Sequence, residues 1–305
     1  MSLIHPQTRL EMKFVFIVNG RKDKKFLLKE LKKAIESLGR EVDYEIFTTR
    51  APRDATDYVK SYKVDSPVCF VACGGDGTIN EVASAVACEE NKYLSVYAAG
   101  TGNDFIKYYK NISFRDLNAI FNGKHEKIDI LKVGERFSIN VCNFGFDSAV
   151  ASLGARLSAK GVPYAYRLSI IPALFGGLSK RISVRADGEL ICGDRMLLCT
   201  LGNNSYNGGE FCCAPRAVNN DGLIELCLVK PISLFRFASM ISVYKRGEHL
   251  DDPRVSDCII YRRVKRVDIS SPKEIELCID GEMISGRDFV VEILPSAVNF
   301  ILPER

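Results

Sequence analysis

The sequence predicts an α/β plus β chain: an N-terminal Rossmann-like α/β unit followed by a C-terminal antiparallel β-sandwich unit. Three observations carry this. From residue 13 to about 123, short apolar runs alternate with helical patterns, the mark of βαβ units around a mostly parallel sheet. Past His125, strand-like runs are separated by two-residue hairpin signals instead. At 305 residues the chain is long enough for two units that each bury a core.

The first strand is KFVFIVN from Lys13. The helix after it sets Leu27, Leu31, Ala34, Ile35 and Leu38 on one face and ends at Gly39. DYEIF at 43–47 is the second strand, and residues 54–62 form the second helix. SPVCFVAC is a third strand running into the glycine cluster 74–77, with a helix predicted over 78–87. YLSVYAAG at 93–100 is the fourth, ending in another glycine turn. In the second half, IDILKV and RFSINVC flank Gly134-Glu135, RISVRA and ELICG flank Asp187-Gly188, and KEIELCI precedes Asp280-Gly281. AVNFIL at 297–302, between Pro295 and Pro303, reads as a last short strand returning to the first unit. The division falls near residue 126, giving a unit of 1–125 joined by 295–305 and a unit of 126–294. Residues 153–178 and 232–246 mix aromatic and aliphatic side chains with Arg167, Arg236 and Lys245, and read as amphipathic helices or a lid.

Composition narrows the function. The net charge is only +4, from 42 basic and 38 acidic side chains, which argues against nucleic acid as a partner. Eleven cysteines, an odd number without any CxxC pair, read as reduced thiols in a cytoplasmic protein. The start lacks a secretory pattern, and no run of 18 apolar residues spans a bilayer. GxSxG and HExxH are absent, and the histidines are His5, His125 and His249, so hydrolase and zinc chemistry find little support.

Two segments carry the chemistry. CGGDGTINE at 73–81 follows a buried strand and opens a helix. Its glycines permit a tight path whose amides point at phosphate oxygens, with the helix N-terminus adding partial positive charge. Asp76 among phosphates calls for a divalent cation, as in a nucleotide–magnesium site; as a bare turn, the same residues give a helix N-cap. AGTGNDF at 99–105 ends the next strand, so both loops leave one edge of the sheet, the edge where open α/β sheets bind ligands. Alone it is a Gly-Asn turn; the pair one βα unit apart is the stronger sign.

GGDGTINEV at 74–82 with GTGNDF at 100–105 resembles the catalytic domain shared by diacylglycerol kinases, sphingosine and ceramide kinases and soluble bacterial lipid kinases. The resemblance continues through IDI at 128–130, NDGLIE at 220–225, RGEH at 246–249 and DGE at 280–282. It implies ATP as phosphoryl donor, Mg2+ as cofactor and a lipid hydroxyl as acceptor, diacylglycerol giving phosphatidic acid first among them. It further implies that Gly74, Gly75, Gly77 and Thr78 hold the triphosphate, with Asn19, Glu81, Gly100, Thr101, Asn103 and Asp104 beside the nucleotide. Asp76, Asp104 and Asp129 become metal-binding candidates, and Asp221 a second cation site, although Asn220 stands where another acid is expected. Asp129, taken to open the first strand of the second unit, reads equally as a hairpin-edge carboxylate. Asp280-Gly281-Glu282, by itself a type I′ turn, becomes on the resemblance the catalytic turn: Glu282 the general base and Asp280 its orienter or a metal contact. The loop Asn19-Gly-Arg-Lys-Asp-Lys-Lys25 departs from the family's Asn-Pro-Ser/Ala-Gly. Lys24 and Lys25 there serve either as phosphate charges or as a solvated helix start.

For a lipid acceptor, the aromatic stretch 162–178 and the basic side chains Arg21, Lys22, Lys24, Lys25, Lys29, Lys32, Lys33, Arg262, Arg263, Lys265 and Arg266 predict peripheral contact with an anionic membrane; taken alone, the stretch reads first as ordinary core. Two alternatives stay open: phosphorylation of a soluble acceptor as in NAD kinases, which share the GGDGT loop, and a non-catalytic nucleotide or lipid sensor. Monomer or homodimer is undecided by the sequence.

Overall fold

The strands β1 (Lys13–Val18), β2 (Tyr44–Thr48), β3 (Val68–Gly74) and β4 (Lys92–Ala98) pair in parallel in the order β2-β1-β3-β4. They belong to a computed structural model that describes residues 12–20, 24–39, 41–160, 162, 168–169 and 181–305. Every position of β3 and β4 is buried, as a parallel sheet covered on both faces requires. The alternation of each strand sorts its side chains between two cores. Val15, Ile17, Phe70, Ala72, Leu94 and Val96 pack against α2 (Asp54–Ser61) and α3 (Asp76–Val86). Phe14, Phe16, Val18, Cys69, Val71 and Tyr97 pack against α1 (Lys24–Glu36) and α4 (Leu117–Phe121). Helix α3 begins at Asp76, two residues before the predicted start, so the second half of the glycine cluster is its first turn.

The second half is antiparallel. The hairpin turns at Gly134-Glu135, Asp187-Gly188 and Asp280-Gly281 join β5 (Lys124–Val133) to β6 (Arg136–Ser138), β8 (Ser183–Ala186) to β9 (Glu189–Cys192), and β15 (Arg266–Ile279) to β16 (Glu282–Leu302). Asp187 and Asp280 have φ of 48° and 44°, each followed by a glycine at positive φ, the geometry of a type I′ turn. The strands β7 (Val141–Gly145), β10 (Leu198–Gly202), β13 (Ile224–Val229) and β14 (Ile259–Val264) continue the sheet beside β15 in the order β15-β7-β10-β13-β14. A separate hairpin, β11 (Tyr206–Asn207) with β12 (Phe211–Cys212), stands off it. One face packs on β8 and β9 around Val184, Leu226, Val267 and Leu277, and the other is covered by α5 (Phe146–Ala159) and α6 (Leu234–Arg246).

Strand β16 corrects one expectation. Residues 297–302 are not a separate short strand; they end a 21-residue strand that runs through Pro295, pairs antiparallel with β15 and β5, and meets β4 in parallel. A register shift between Leu294 and Val298, with Ser296 at φ 53°, absorbs the proline, which has no N–H to give the ladder. Of the predicted lid 153–178, α5 covers the part up to Ala159, Leu168 and Ser169 are also helical, and the remainder lies outside the described residues except 160 and 162. Segment 232–246 forms α6, with Ser233 as N-cap and Gly247 at φ 76° as its stop. None of the eleven cysteines forms a disulfide. Among the described residues no helix is long and apolar enough to cross a membrane.

Candidate active site

Because β3 and β4 are parallel neighbours, the loops that follow them emerge side by side. The Ala99 amide donates to the Gly74 carbonyl at 3.0 Å. Gly75 and Gly100 are in backbone contact: a Cβ on Gly100 would lie 2.3 Å from the Gly75 Cα. Gly74 is equally constrained, since its Cβ would lie 2.4 Å from the Thr78 Oγ1. That hydroxyl accepts from the Asn19 Nδ2 at 3.0 Å, which brings the end of β1 to the same edge. Space around Gly77 is open, with nothing within 4 Å of the point a methyl would occupy, and Thr101 is exposed. Asn103, at φ 52°, folds its amide back onto Gly100, with Nδ2 to the carbonyl at 2.9 Å and the Gly100 amide to Oδ1 at 3.1 Å. Glu81 lies one turn and more along α3, and its carbonyl accepts from the Thr56 hydroxyl of the neighbouring helix.

The predicted carboxylates separate into three groups. Asp76 accepts from the Phe105 amide through Oδ1 at 3.1 Å, while Oδ2 faces Gly102. Burial pushes this carboxyl above the usual range, the Phe105 amide opposes the shift and nearby Asp104 adds to it. Asp104 is buried and bound to the other half of the chain, accepting from the Gly209 amide at 2.9 Å and from the Lys107 Nζ at 2.6 Å.

Asp280 and Glu282 form the second group. Asp280 accepts three backbone amides, from Ile139 at 2.8 Å, Val141 at 2.8 Å and Asn140 at 3.3 Å. Burial nevertheless pushes it up to about 6. The Ile139 amide is also directed at the Asn80 Oδ1 at 3.4 Å, so the Asp280 turn abuts the helix that the GGDG loop opens. Glu282 is exposed and pairs with Arg136 at 3.1 Å.

The third group is Asp129 and Asp221. Asp129 sits in the middle of β5, not at its start, and is 1% exposed. Its oxygens accept the Gly222 and Ser296 amides, both at 2.7 Å. Asp221 accepts the Leu223 amide at 3.0 Å and pairs with Arg263, which also reaches Glu225 at 2.9 Å. Protein donors therefore occupy Asp129 and Asp221. Among the described residues no group of three or more His, Cys, Asp or Glu side chains is gathered to hold a metal. Of the basic set, Arg263 and Arg266 are ion-paired, and Arg21 and Lys22 lie outside the described residues.

Several site residues escaped the sequence reading. Thr49, whose Oγ1 accepts the Gly20 amide at 3.1 Å, lines a groove with Gly20, Thr48 and Arg50 beside Asn19. Asn204, fully buried, donates to the Phe105 carbonyl at 2.9 Å and joins the second loop to the far half. A cavity of about 210 Å³ lies between the sheet and the helices α5 and α6, walled by Phe146, Val150, Leu198, Phe237, Met240 and Ile241. Its polar lining includes Asn143, Asn207 and Gly281, the last being the residue between the two carboxylates of the DGE turn. The two hydrogen bonds join residues 29 and 99 positions apart, and no local pattern marks them.

The sequence profile of the diacylglycerol kinase catalytic domain matches residues 13–133, and that of the YegS C-terminal NAD kinase beta sandwich-like domain matches residues 140–302. A diacylglycerol kinase of Bacillus subtilis (strain 168) is 29% identical over 87% of this chain and 88% of its own. A YegS-like lipid kinase of Yersinia pestis (strain Pestoides F) is 30% identical over 95% of this chain and 96% of its own. The crystal structure of a diacylglycerol kinase from Bacillus anthracis str. Sterne superposes with a TM-score of 0.67 at 22% identity, covering 97% of this chain and 98% of that one, and shows the shared fold.

Proposed function

The chain belongs to the family of diacylglycerol kinases and YegS-like lipid kinases, and from that premise we propose that it transfers the γ-phosphoryl group of ATP to a lipid hydroxyl, with diacylglycerol as the first acceptor. The observation that carries the lipid reading is the apolar cavity whose lining includes Gly281. Apolar chains gain about 0.8 kcal/mol per buried CH₂ in such a space, whereas a soluble dinucleotide gains nothing from it.

On this reading the triphosphate lies along the amides of residues 74–78 and 100–103, and the base end follows the groove at Thr48–Arg50 beyond Asn19. Asp76 fits a magnesium ion: it is a half-buried carboxylate with Oδ2 turned toward the second loop. With so few protein carboxylates available, magnesium would complete its shell from phosphate oxygens and water, and when bound it supplies charge neutralisation to the transferring group. Asp129 and Asp221 are left as structural carboxylates. Glu282 takes the proton as the lipid oxygen bonds to the γ-phosphorus and the bond to the bridging oxygen breaks, releasing ADP. Asp280 acts through the three amides it holds, fixing the turn on which Glu282 stands. At the membrane, Phe235 on α6 is 87% exposed between the cavity-lining Ile232 and Phe237, which suits it to enter a lipid surface.

Labelled ATP with magnesium, offered a panel of lipids in mixed micelles and NAD in parallel, tests the proposal. Label is expected in a lipid product, and Glu282→Gln should abolish it while leaving nucleotide affinity intact. Phosphorylated NAD without lipid product would decide for the soluble acceptor; nucleotide binding with no transfer to anything would decide for a sensor.

A further inference from the structure

The tip of the small hairpin 206–212 has two faces. One face walls the apolar cavity through Asn207, Gly208 and Phe211. The other is held by the glycine loop that follows β4. The Gly209 amide donates to both oxygens of Asp104, at 2.9 and 3.1 Å, while the Lys107 Nζ reaches the Gly209 carbonyl and pairs with Asp104 at 2.6 Å. The Lys107 ammonium also lies 5.8 Å from the centre of the Tyr206 ring, at the hairpin's base. Gly208 and Gly209, at φ 64° and 82°, adopt left-handed backbone, which lets the tip present both the amide and the carbonyl of Gly209 to one partner pair. Lys107 touches neither a predicted phosphate position nor the DGE turn, and the reaction proposed above makes no use of it.

We propose that Lys107 is a positioning residue that clasps the wall of the lipid cavity to the nucleotide loop, so that nucleotide and lipid each favour the other's binding. Phosphates lying on Gly100–Asn103 order the loop and hold Asp104 toward Gly209, which fixes the hairpin and with it the cavity wall. A chain lying against Phe211 and Gly208 holds the same tip from the other side. Each ligand thus prepays part of the ordering the other needs, and by linkage the effect is equal in both directions. Cutting the clasp removes the coupling without removing either site.

The clasp couples anything only if the cavity takes a lipid, as proposed above, and the test separates the two claims. The affinity for a non-hydrolysable ATP analogue with magnesium is measured by calorimetry, with and without dioctanoylglycerol in mixed micelles. Amide exchange of residues 206–212 is followed in the same four states. For the wild type, the lipid is expected to tighten the nucleotide by roughly fivefold or more, and the nucleotide to slow exchange in the hairpin. In Lys107→Met each ligand should still bind, the tightening should fall to unity and the hairpin should exchange alike with and without nucleotide; Lys107→Arg should recover most of both. Should Lys107→Met fold poorly, Lys107→Arg compared with Lys107→Gln carries the same test. Both ligands binding with the coupling unchanged in the variants would overturn the clasp alone. A wild type that binds nucleotide but no lipid would overturn the lipid reading and the clasp together.

Discussion

Replacing Gly100 by alanine perturbs the point where the two phosphate loops touch. Gly100 has no left-handed backbone to defend, so the change is one of space alone. The new methyl would stand 2.3 Å from the Gly75 Cα and 2.7 Å from the Asn103 Oδ1, whereas ordinary contact begins at 3.4 Å. The nearest obstruction is backbone on an adjoining strand end, so the loops must part by the difference, about 1.1 Å, and the Asn103 amide must release Gly100. A displacement of about 1 Å in a positioning element costs about 10²-fold in rate, or about 2.7 kcal/mol of transition-state stabilisation. We expect kcat/KM for ATP to fall by about that factor in the lipid-phosphorylation assay, with nucleotide affinity weakened by calorimetry and the cooperative melt retained. Turnover and nucleotide affinity within threefold of wild type, in a folded protein, would rule out the two loops acting as one cradle.

Gly77→Ala is the complementary change. Its methyl enters open space in a helix, so stability should rise by about 0.5–1 kcal/mol, yet nucleotide affinity should drop because that space is assigned to phosphate; thermal melts and calorimetry read the two effects separately. Glu282→Gln should lose on the order of 10²–10⁴-fold in turnover, with nucleotide affinity unaltered, and a variant retaining a tenth of wild-type rate would remove Glu282 from its role. Two buried groups titrate with opposite effect on stability. Asp280, raised to about 6, holds its proton more tightly folded than unfolded, so its contribution is full at pH below about 4 and is lost as pH rises through 6. His249, buried against Tyr244 and lowered to about 4, contributes above pH 6.5 and loses that as pH falls toward 4. Denaturant midpoints between pH 4 and 6.5 should therefore climb with pH in Asp280→Asn relative to wild type, and fall with pH in His249→Phe; parallel curves for all three proteins would contradict both assignments.

The α/β half was legible because its signals are local. Strands such as VCFVACG are buried on both faces and read as continuous apolar runs, and the glycine loops lie where a strand hands over to a helix. The hairpin turns were legible for the same reason, since Asp-Gly demands its own backbone geometry. Asp129 was misplaced because the run IDILKV looks like a strand that begins there, while β5 extends back to Lys124 through polar residues paired with the end of β16. The length of β16 was hidden by Pro295, which reads as a break until the bulge around Ser296 is seen to turn its amide to Asp129. Of what joins the halves, the return of 297–302 to the first unit was legible, and β16 does meet β4 there, but the polar contacts were not. Asn80 with Ile139, Asn204 with Phe105 and Lys107 with Gly209 are single polar contacts between distant segments, and nothing in the neighbouring sequence distinguishes them from surface residues.

A crystal structure with a non-hydrolysable ATP analogue and magnesium would decide whether the two glycine loops and the DGE turn form one reaction centre. Phosphates are expected on the amides of residues 74–78 and 100–103, with the γ-phosphate in the space between Asp76 and the Asp280-Gly281-Glu282 turn. A nucleotide bound away from the two loops, or a γ-phosphate turned from that turn and from the mouth of the apolar cavity, would contradict this arrangement.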